Sequence, residues 1–253
     1  MTTCLKPFNK IHLVACDSTN DYIRQNIARL ESEFPLMVSS DVQIAGRGRE
    51  KREWVSPLNL AIYATFGFHL ANKRDLSLLS ITCGVAVSDM LQNWTGKEFT
   101  LKWPNDILAD GKKIAGILCE TIVNANKIIC LAGIGVNVNQ DNKDFPGSLR
   151  SRAGSVKLLT GKTWLLAEGR ARLAASMACW LGYLIADRGS FIIDRARVLS
   201  RSFLGRAISF HHQGKRTRGI FLDIAADGGL LLDQEGAGGK VFYSGELDQA
   251  DFS

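Results

Sequence analysis

Residues 43–54 combine glycines, arginines and a tryptophan in a pattern suited to anion binding. The segment reads Gln-Ile-Ala-Gly-Arg-Gly-Arg-Glu-Lys-Arg-Glu-Trp. Gly46 and Gly48 allow the backbone to approach a ligand closely, and arginine side chains present planar pairs of donors that match carboxylates and phosphates. Trp54 adds a flat face for a purine. Because these residue types would form a poor core, we expect residues 46–54, the glycine–arginine loop, to be disordered alone and ordered over an anion.

A second motif, Lys-Trp-Pro-Asn-Asp at positions 102–106, places charged side chains on a restricted backbone. Proline fixes its own φ and favours an extended conformation for the residue before it. The Asp-Gly pair at 110–111 predicts a hairpin turn, which would bring Asp106 and Lys113 onto neighbouring strands near the same end. A carboxylate next to a lysine can serve as a base beside a phosphate-binding cation.

Some of these residues also have a purely structural explanation. A surface hairpin with a solvated ion pair is the better explanation for Lys112, whereas the nearby Gly116 favours a functional role for Lys113. Ser18 fits the N-cap of a helix, which is compatible with ligand binding at that helix N-terminus. Gln43 could be an ordinary polar residue at a strand end, but it lies next to the glycine–arginine loop.

Gly133 and Gly135 alternate along an apolar segment. Alternating glycines in a strand mark the close approach of a ligand or of another backbone, and a crossing helix would explain them as well.

Residues 160–163 imitate the end of a phosphate-binding P-loop, but Val156 stands where that motif needs glycine, so we reject it. The two histidines at 211–212 lack other ligand candidates nearby and indicate a surface role rather than a metal site.

The hydrophobic periodicity predicts an α+β fold with hairpin-connected strands. A helix is expected to begin with a capping box at 18–21, and residues 141–161 are expected to form a loop. Further elements are strands at 36–43, 58–68, 101–106, 114–123 and 128–139, a turn at 124–126, and helices at 76–94, 164–186 and 190–202. Short alternating runs at 207–210, 218–224, 230–232 and 240–243 are typical of a small β-barrel. We therefore predict an antiparallel meander and several helices in residues 1–203 and a small C-terminal β-barrel in residues 204–253.

Composition and charge limit the classes of protein that fit this chain. Its 253 residues carry a net charge of +6 and a pI of about 9.1, an excess too small to establish nucleic-acid binding. The six cysteines contain no CxxC pair and favour a reducing compartment. The N-terminus lacks a signal-peptide pattern, and the apolar stretch Trp164–Ala186 contains charged residues. A cytoplasmic location without membrane attachment is expected.

Five motifs in order resemble the biotin–protein ligases. They are Ser-Thr-Asn at 18–20, Gln-x-x-Gly-Arg-Gly-Arg at 43–49, Lys-Trp-Pro-Asn-Asp at 102–106, Lys-Ile-Ala-Gly-Ile-Leu at 113–118 and Gly-Ile-Gly-Val-Asn at 133–137. The resemblance extends from about residue 12 to the end. It implies a class II synthetase-like catalytic domain, in which helices back a mixed, largely antiparallel sheet, followed by an SH3-like barrel. One departure is Lys51, where the family pattern has glycine. The Ser-Thr-Asn motif follows only seventeen residues, too few for the helix-turn-helix domain of bifunctional members, so a monofunctional ligase without repressor activity is expected.

The resemblance also implies a reaction. Biotin and ATP would form biotinyl-5′-AMP and pyrophosphate. A lysine amine of the biotin carboxyl carrier domain of acetyl-CoA carboxylase or a related carboxylase would then attack the adenylate, take the biotinyl group and release AMP. Mg²⁺ would neutralise phosphate charge, with no metal ligand assigned to the protein. The protein is expected to be a monomer or a homodimer and not to bind DNA.

The resemblance assigns roles to individual residues. The catalytic set is Lys113, Arg49, Asp106 and Arg47. The biotin-binding set is Ser18, Thr19, Asn20, Gln43, Gly46, Arg47, Lys113, Gly116, Gly133 and Gly135. The ATP-binding set is Arg49, Arg52, Trp54, Asn105, Lys113 and Asn137.

Three alternatives accompany this interpretation. A lipoate–protein ligase has the same fold and the same adenylate chemistry, but the glycine–arginine and Lys-Trp-Pro-Asn-Asp motifs favour biotin. A nucleic-acid binder could use the basic loop and the basic cluster at 215–218, and its affinity for nucleic acid would fall steeply as the salt concentration rises. A non-catalytic biotin-binding module would have no use for the loop arginines and Lys113.

Overall fold

A seven-stranded sheet forms the centre of the computed structural model, which describes residues 5–124, 127–212, 214–234 and 238–248. Its strands are β1 (Asn9–Cys16), β2 (Leu36–Gln43), β3 (Ala61–Leu70), β4 (Thr100–Lys102), β5 (Asp106–Ala109), β6 (Lys112–Asn124) and β7 (Lys127–Asn137). They follow the order β1-β2-β3-β7-β6-β5-β4. β1 and β2 pair in parallel, and all other neighbours in the sheet are antiparallel.

Helices cover both faces of this sheet because successive strand side chains point to opposite sides. The helices are α1 (Thr19–Gln25), α2 (Ile27–Leu30), α3 (Leu76–Thr95), α4 (Val156–Thr160), α5 (Leu166–Ile185) and α6 (Gly189–Ser200). Residues of α3, α5 and α6 share one large core with sheet residues such as Phe66 and Cys130. Ile23 of α1 and Leu30 of α2 share a smaller core with Val38 and Leu131.

A second, five-stranded antiparallel sheet follows at the C-terminus. Its strands are β8 (Ala207–His212), β9 (Lys215–Ile224), β10 (Leu230–Asp233), β11 (Gly239–Phe242) and β12 (Glu246–Leu247), in the order β11-β10-β9-β8-β12. Trp103 joins this sheet to the first one. The Trp103 indole is fully buried, its ring centroid lies 6.2 Å from that of Phe210, and its Nε1 donates to the Gly228 carbonyl at 3.0 Å.

This architecture confirms the predicted fold class of a largely antiparallel sheet backed by helices with a separate C-terminal sheet. The Asp-Gly hairpin at 110–111 is also confirmed, since it connects β5 to β6. The predicted turn at 124–126 includes residues 125–126, which lie outside the described residues. The division of the chain at residue 203 stays a prediction.

Three expectations about local structure were wrong, and two strands were not predicted. Residues 101–106 do not form one strand, because residues 103–105 form the turn between β4 and β5. The expected loop at 141–161 contains the short helix α4, and the predictions omitted the edge strand β1 and the two-residue strand β12. Ser18 occupies the N-cap of α1 without a side-chain hydrogen bond, so the capping box is absent there.

Among the described residues, none of the helices combines the length and apolar character that a membrane crossing requires.

Replacing Trp103 with alanine should lower the free energy of unfolding by about 3–5 kcal/mol, because the change leaves a large cavity between the two sheets. Urea denaturation measures this loss. Trp180→Ala is the matched control: Trp180 is half-buried on α5 and should show a much smaller loss. Equal losses in the two variants would contradict the assigned role of Trp103.

Candidate active site

A cavity of about 300 Å³ lies between the glycine–arginine loop, the 103–105 turn and strand β12. Every residue of the three predicted site sets lines this cavity except Gly46. Gly46 is the first residue of the loop and is buried, and an added methyl group there would come within 2.5 Å of the Trp54 carbonyl oxygen. The structure therefore brings the predicted site residues together, while the ligand that each contacts stays a prediction.

One wall of the cavity is a network of uncharged polar groups at the N-terminus of α1. The Gln43 side-chain oxygen accepts from the Thr19 backbone N–H at 2.9 Å and from the Thr19 hydroxyl at 3.1 Å. The Thr65 hydroxyl donates to Thr19 Oγ1 at 2.8 Å. Ser18 is buried beside them. Such a wall presents both donors and acceptors in fixed positions, which suits a small ligand with an amide-like group.

Arg47 is held at the edge of this wall by carboxylates. Its guanidinium forms a bidentate ion pair with Asp21, including a bond from Nε to Asp21 Oδ2 of 3.1 Å. Glu120 lies close by and accepts from the Asn20 amide nitrogen at 2.7 Å. A ligand carboxylate that pairs with Arg47 must therefore compete with Asp21.

The floor of the cavity is the glycine-rich part of β6 and β7, where Gly116 and Gly135 are direct partners. An added methyl group at Gly135 would lie 2.5 Å from the Trp54 ring, and one at Gly116 would lie 2.9 Å from it. At Gly133 the added group would collide with Asn20. The space next to these glycines is occupied by the side chains of Trp54 and Asn20, and the contact of the glycines with biotin stays a prediction.

Lys113 and Asp106 form the ion pair that the hairpin predicted, with Nζ and Oδ1 2.6 Å apart. Lys113 Nζ also lies 5.3 Å from the centroid of the Trp54 ring, close enough for a cation–π contact. Lys102 approaches the other carboxylate oxygen, with its Nζ 3.8 Å from Asp106 Oδ2, and its side chain is only 3% exposed. Asp106 therefore lies between two ammonium groups.

The C-terminal sheet supplies acceptors for the loop arginines. Arg49 donates to Asn105 Oδ1 at 3.1 Å and to the Gly245 carbonyl at 3.0 Å. Arg52 pairs with Glu246, with Nη1 and Oε1 2.9 Å apart. Hydrogen bonding to Arg52 lowers the pKa of the Glu246 carboxyl, and the same contact raises the pKa of Arg52. The negative charge of Glu246 and the positive charge of Arg52 therefore stabilise each other beside the cavity.

Asn137 has protein partners for both ends of its amide. Its nitrogen donates to the Gly154 carbonyl at 3.0 Å, and its oxygen accepts from Gln140 Nε2 at 3.0 Å. These bonds fix residues 152–154, which also pair with the backbone of Lys113. In this conformation Asn137 positions the backbone around Lys113, and its contact with adenine stays a prediction.

The glycine–arginine loop folds back on itself as a small hairpin. Trp54 N–H donates to the Gly46 carbonyl at 2.9 Å, and Gly48 N–H donates to the Arg52 carbonyl at 2.7 Å. At the tip, Glu50 and Lys51 have φ values of +54° and +60°. A left-handed backbone favours glycine, which explains why a glycine suits position 51. The expected ordering of this loop over a ligand stays a prediction.

Sequence reasoning missed several residues of the cavity. Lys102 belongs to a recognised motif, but its inward direction follows from the β4–β5 pairing rather than from the motif. Glu246, Leu247 and Asp248 also line the cavity, and the two-residue strand β12 leaves no periodic signal. Among the described residues, no three histidine, cysteine or acidic side chains converge as a group that could hold a metal ion.

A polar wall next to a cluster of lysines and arginines defines a site that can bring a small polar acid and a nucleotide phosphate together, as an acyl-activating ligase requires. Residues 13–139, half of the chain, match the model of the biotin/lipoate A/B protein ligase family. The biotin–[acetyl-CoA-carboxylase] ligase of Paracoccus denitrificans is 33% identical, over 81% of this chain and 86% of that protein. The chain therefore belongs to the biotin/lipoate A/B protein ligase family.

Two further comparisons agree with this assignment. The bifunctional ligase/repressor BirA of Bacillus subtilis is 28% identical over 94% of this chain and 74% of its own length. The structure of the biotin protein ligase from Aquifex aeolicus in complex with biotin and ATP superposes with a TM-score of 0.80 at 28% identity, covering 95% of this chain and 97% of that one. The Paracoccus denitrificans and Aquifex aeolicus proteins are named for biotin, which favours biotin over lipoate.

Gly135→Ala should displace the Trp54 ring, because the methyl group would overlap it, and should cost about 1–3 kcal/mol of stability. Urea denaturation measures the cost, and hydrogen exchange of residues 46–54 should become faster. In the control Gly147→Ala, the methyl group would meet no atom within 4 Å. An unchanged exchange rate in Gly135→Ala would show that Trp54 does not depend on this glycine.

Proposed function

We propose that this protein is a biotin–protein ligase that forms biotinyl-5′-AMP and pyrophosphate from biotin and ATP. The amine of a lysine on a carboxyl carrier domain then attacks the adenylate, takes the biotinyl group and releases AMP. The observation that carries the proposal is the cavity in which Lys113 and Asp106 form an ion pair close to the Gln43–Thr19 network. One part of this cavity suits an uncharged polar ring, and the other suits a phosphate. The family membership and the named relatives support the same reaction.

Biotin would bind along the polar wall. Its ureido group has two N–H donors and one carbonyl acceptor, and the short side chains of Ser18, Thr19 and Gln43 can match both kinds of group. Ile117, Leu118 and Ile134 provide apolar lining for the rest of the molecule. The biotin carboxylate would then lie near Arg47, at the end of the wall.

The first step requires two anions to meet, because the biotin carboxylate must attack the α-phosphorus of ATP. Arg47 and Arg49 would hold the carboxylate and the α-phosphate, and Lys113 would stabilise the negative charge that develops between them. Arg52 would exchange Glu246 for phosphate oxygens. Asn105, which lies beside Arg49, would also bind phosphate oxygens. Trp54 would pack against the adenine ring, with Asn137 nearby.

Mg²⁺, when bound, would neutralise charge on the triphosphate and on the departing pyrophosphate. Since the described residues contain no cluster of three metal-binding side chains, phosphate oxygens and water would supply most of its ligands, as is common for Mg²⁺. Closure of the glycine–arginine loop over the adenylate would exclude water from the labile mixed anhydride.

Lys113→Ala should lower the rate of adenylate synthesis by about 10²–10³-fold, because the main cation at the reacting phosphate is lost. Pyrophosphate release and the mass of biotinyl-5′-AMP, measured with biotin, ATP and Mg²⁺, report the rate. Lys112→Ala is the matched control, because the neighbouring Lys112 lies outside the cavity lining. Equal rates in the wild type and Lys113→Ala would refute this role.

Asp106 is proposed as the base or orienting group for the acceptor lysine in the second step, because its carboxylate lines the cavity beside Lys113. Asp106→Asn should therefore slow the transfer of biotin from purified biotinyl-5′-AMP to a carrier domain by about 10²-fold. Starting from the adenylate separates transfer from activation. Transfer at the wild-type rate would exclude the role.

A further inference from the structure

Lys102 is a buried cation that the reaction described above does not use. It ends strand β4, directly opposite Asp106 in the β4–β5 pairing, and its side chain is only 3% exposed. Burial lowers the pKa of the Lys102 ammonium group, while the negative charges of Asp106, Glu246 and Asp248 act in the opposite direction. An ammonium group in such a place costs stability unless something compensates for its lost hydration.

The acidic groups around Lys102 do not depend on it for a counter-ion. Asp106 has Lys113 at 2.6 Å, Glu246 has Arg52 at 2.9 Å, and Asp248 has Arg216 at 2.8 Å. Asp106 therefore has Lys113 as its close partner and Lys102 as a second, more distant ammonium group, and all three side chains line the cavity. This arrangement makes the strength of the Asp106–Lys113 pair depend on Lys102.

The turn that carries Lys102 is fixed from several sides. The Ser80 hydroxyl donates to the Pro104 carbonyl at 2.9 Å, and the Asn105 amide nitrogen donates to the Ile117 carbonyl at 3.0 Å. Trp103 is anchored in the core by its bond to Gly228. Lys102 and Asp106 stand on either side of this rigid turn, so their relative position is set by the backbone.

We propose that Lys102 is a positioning residue for adenylation: it shares the Asp106 carboxylate with Lys113, so that Lys113 can exchange Asp106 for the phosphate of the ligand. Two ammonium groups at one carboxylate repel each other and divide its attraction. Without Lys102, Asp106 would pair with Lys113 alone and would compete more strongly with the phosphate. This inference rests on the proposed function, since it concerns the adenylation step.

The test is a double-mutant cycle of Lys102→Met and Asp106→Asn, with adenylate synthesis as the readout. Lys102→Met should raise the KM for ATP or lower kcat, reducing kcat/KM by about tenfold, a coupling within the usual range for contacting residues. In the Asp106→Asn background the same change should have less than about a twofold effect, because the competing carboxylate is gone. Lys102→Arg should restore most of the activity.

Thermal unfolding distinguishes positioning from a structural role. Methionine has a similar shape and needs no hydration, so Lys102→Met should keep or raise the Tm while activity falls. The exposed Lys97 provides a control, Lys97→Met, which should change neither quantity. An equal loss of activity in both backgrounds, a loss that parallels a lower Tm, or no loss at all would overturn the inference. A wild-type protein that makes no biotinyl-5′-AMP would instead refute the proposed function.

Discussion

The ion pair between Asp106 and Lys113 is the interaction on which the rest of the site depends. Its two members stand on adjacent strands of one hairpin, so a local feature of the chain fixes their 2.6 Å separation. The Asp106 side chain is 11% exposed and that of Lys113 is 28% exposed, so the pair is only partly screened by water. Lys113 thus has a defined position before any ligand arrives, yet it still faces the cavity.

The second constraint is the contact between the glycine–arginine loop and the C-terminal sheet. Arg49 and Arg52 reach the Gly245 carbonyl and the Glu246 carboxylate, nearly two hundred residues further along the chain. Trp103 connects the two sheets through its hydrogen bond to the Gly228 carbonyl and its contact with the Phe210 ring. The loop is therefore positioned by a part of the protein whose sequence carries no recognisable motif, and the cavity is complete only when both sheets contribute to it.

Much of this site could be predicted from the sequence because its key features are local. The Asp-Gly turn was sufficient to place Asp106 near Lys113, and motif order was sufficient to indicate the family. The features of the site that could not be predicted from the sequence depend on tertiary contacts. Trp54 and Asn20 fill the space beside the glycines, and neither contact follows from spacing along the chain. The edge strand β1 and the short β12 were missed because one has a largely exposed, mixed pattern and the other has only two residues.

Most cations of the site are paired with a carboxylate of the protein itself. Arg47 pairs with Asp21, Arg52 with Glu246 and Lys113 with Asp106. These carboxylates hold the cations in place, so the proposed exchange for a phosphate or a ligand carboxylate would need little reorganisation. The same carboxylates compete with the ligand, so each pair must be strong enough to orient the cation and weak enough to exchange. Arg49 differs, because its hydrogen-bond acceptors among the described residues are the neutral oxygens of Asn105 and Gly245. A guanidinium with neutral acceptors gains most from an incoming anion, so we propose Arg49 as the cation that makes the first contact with the phosphate.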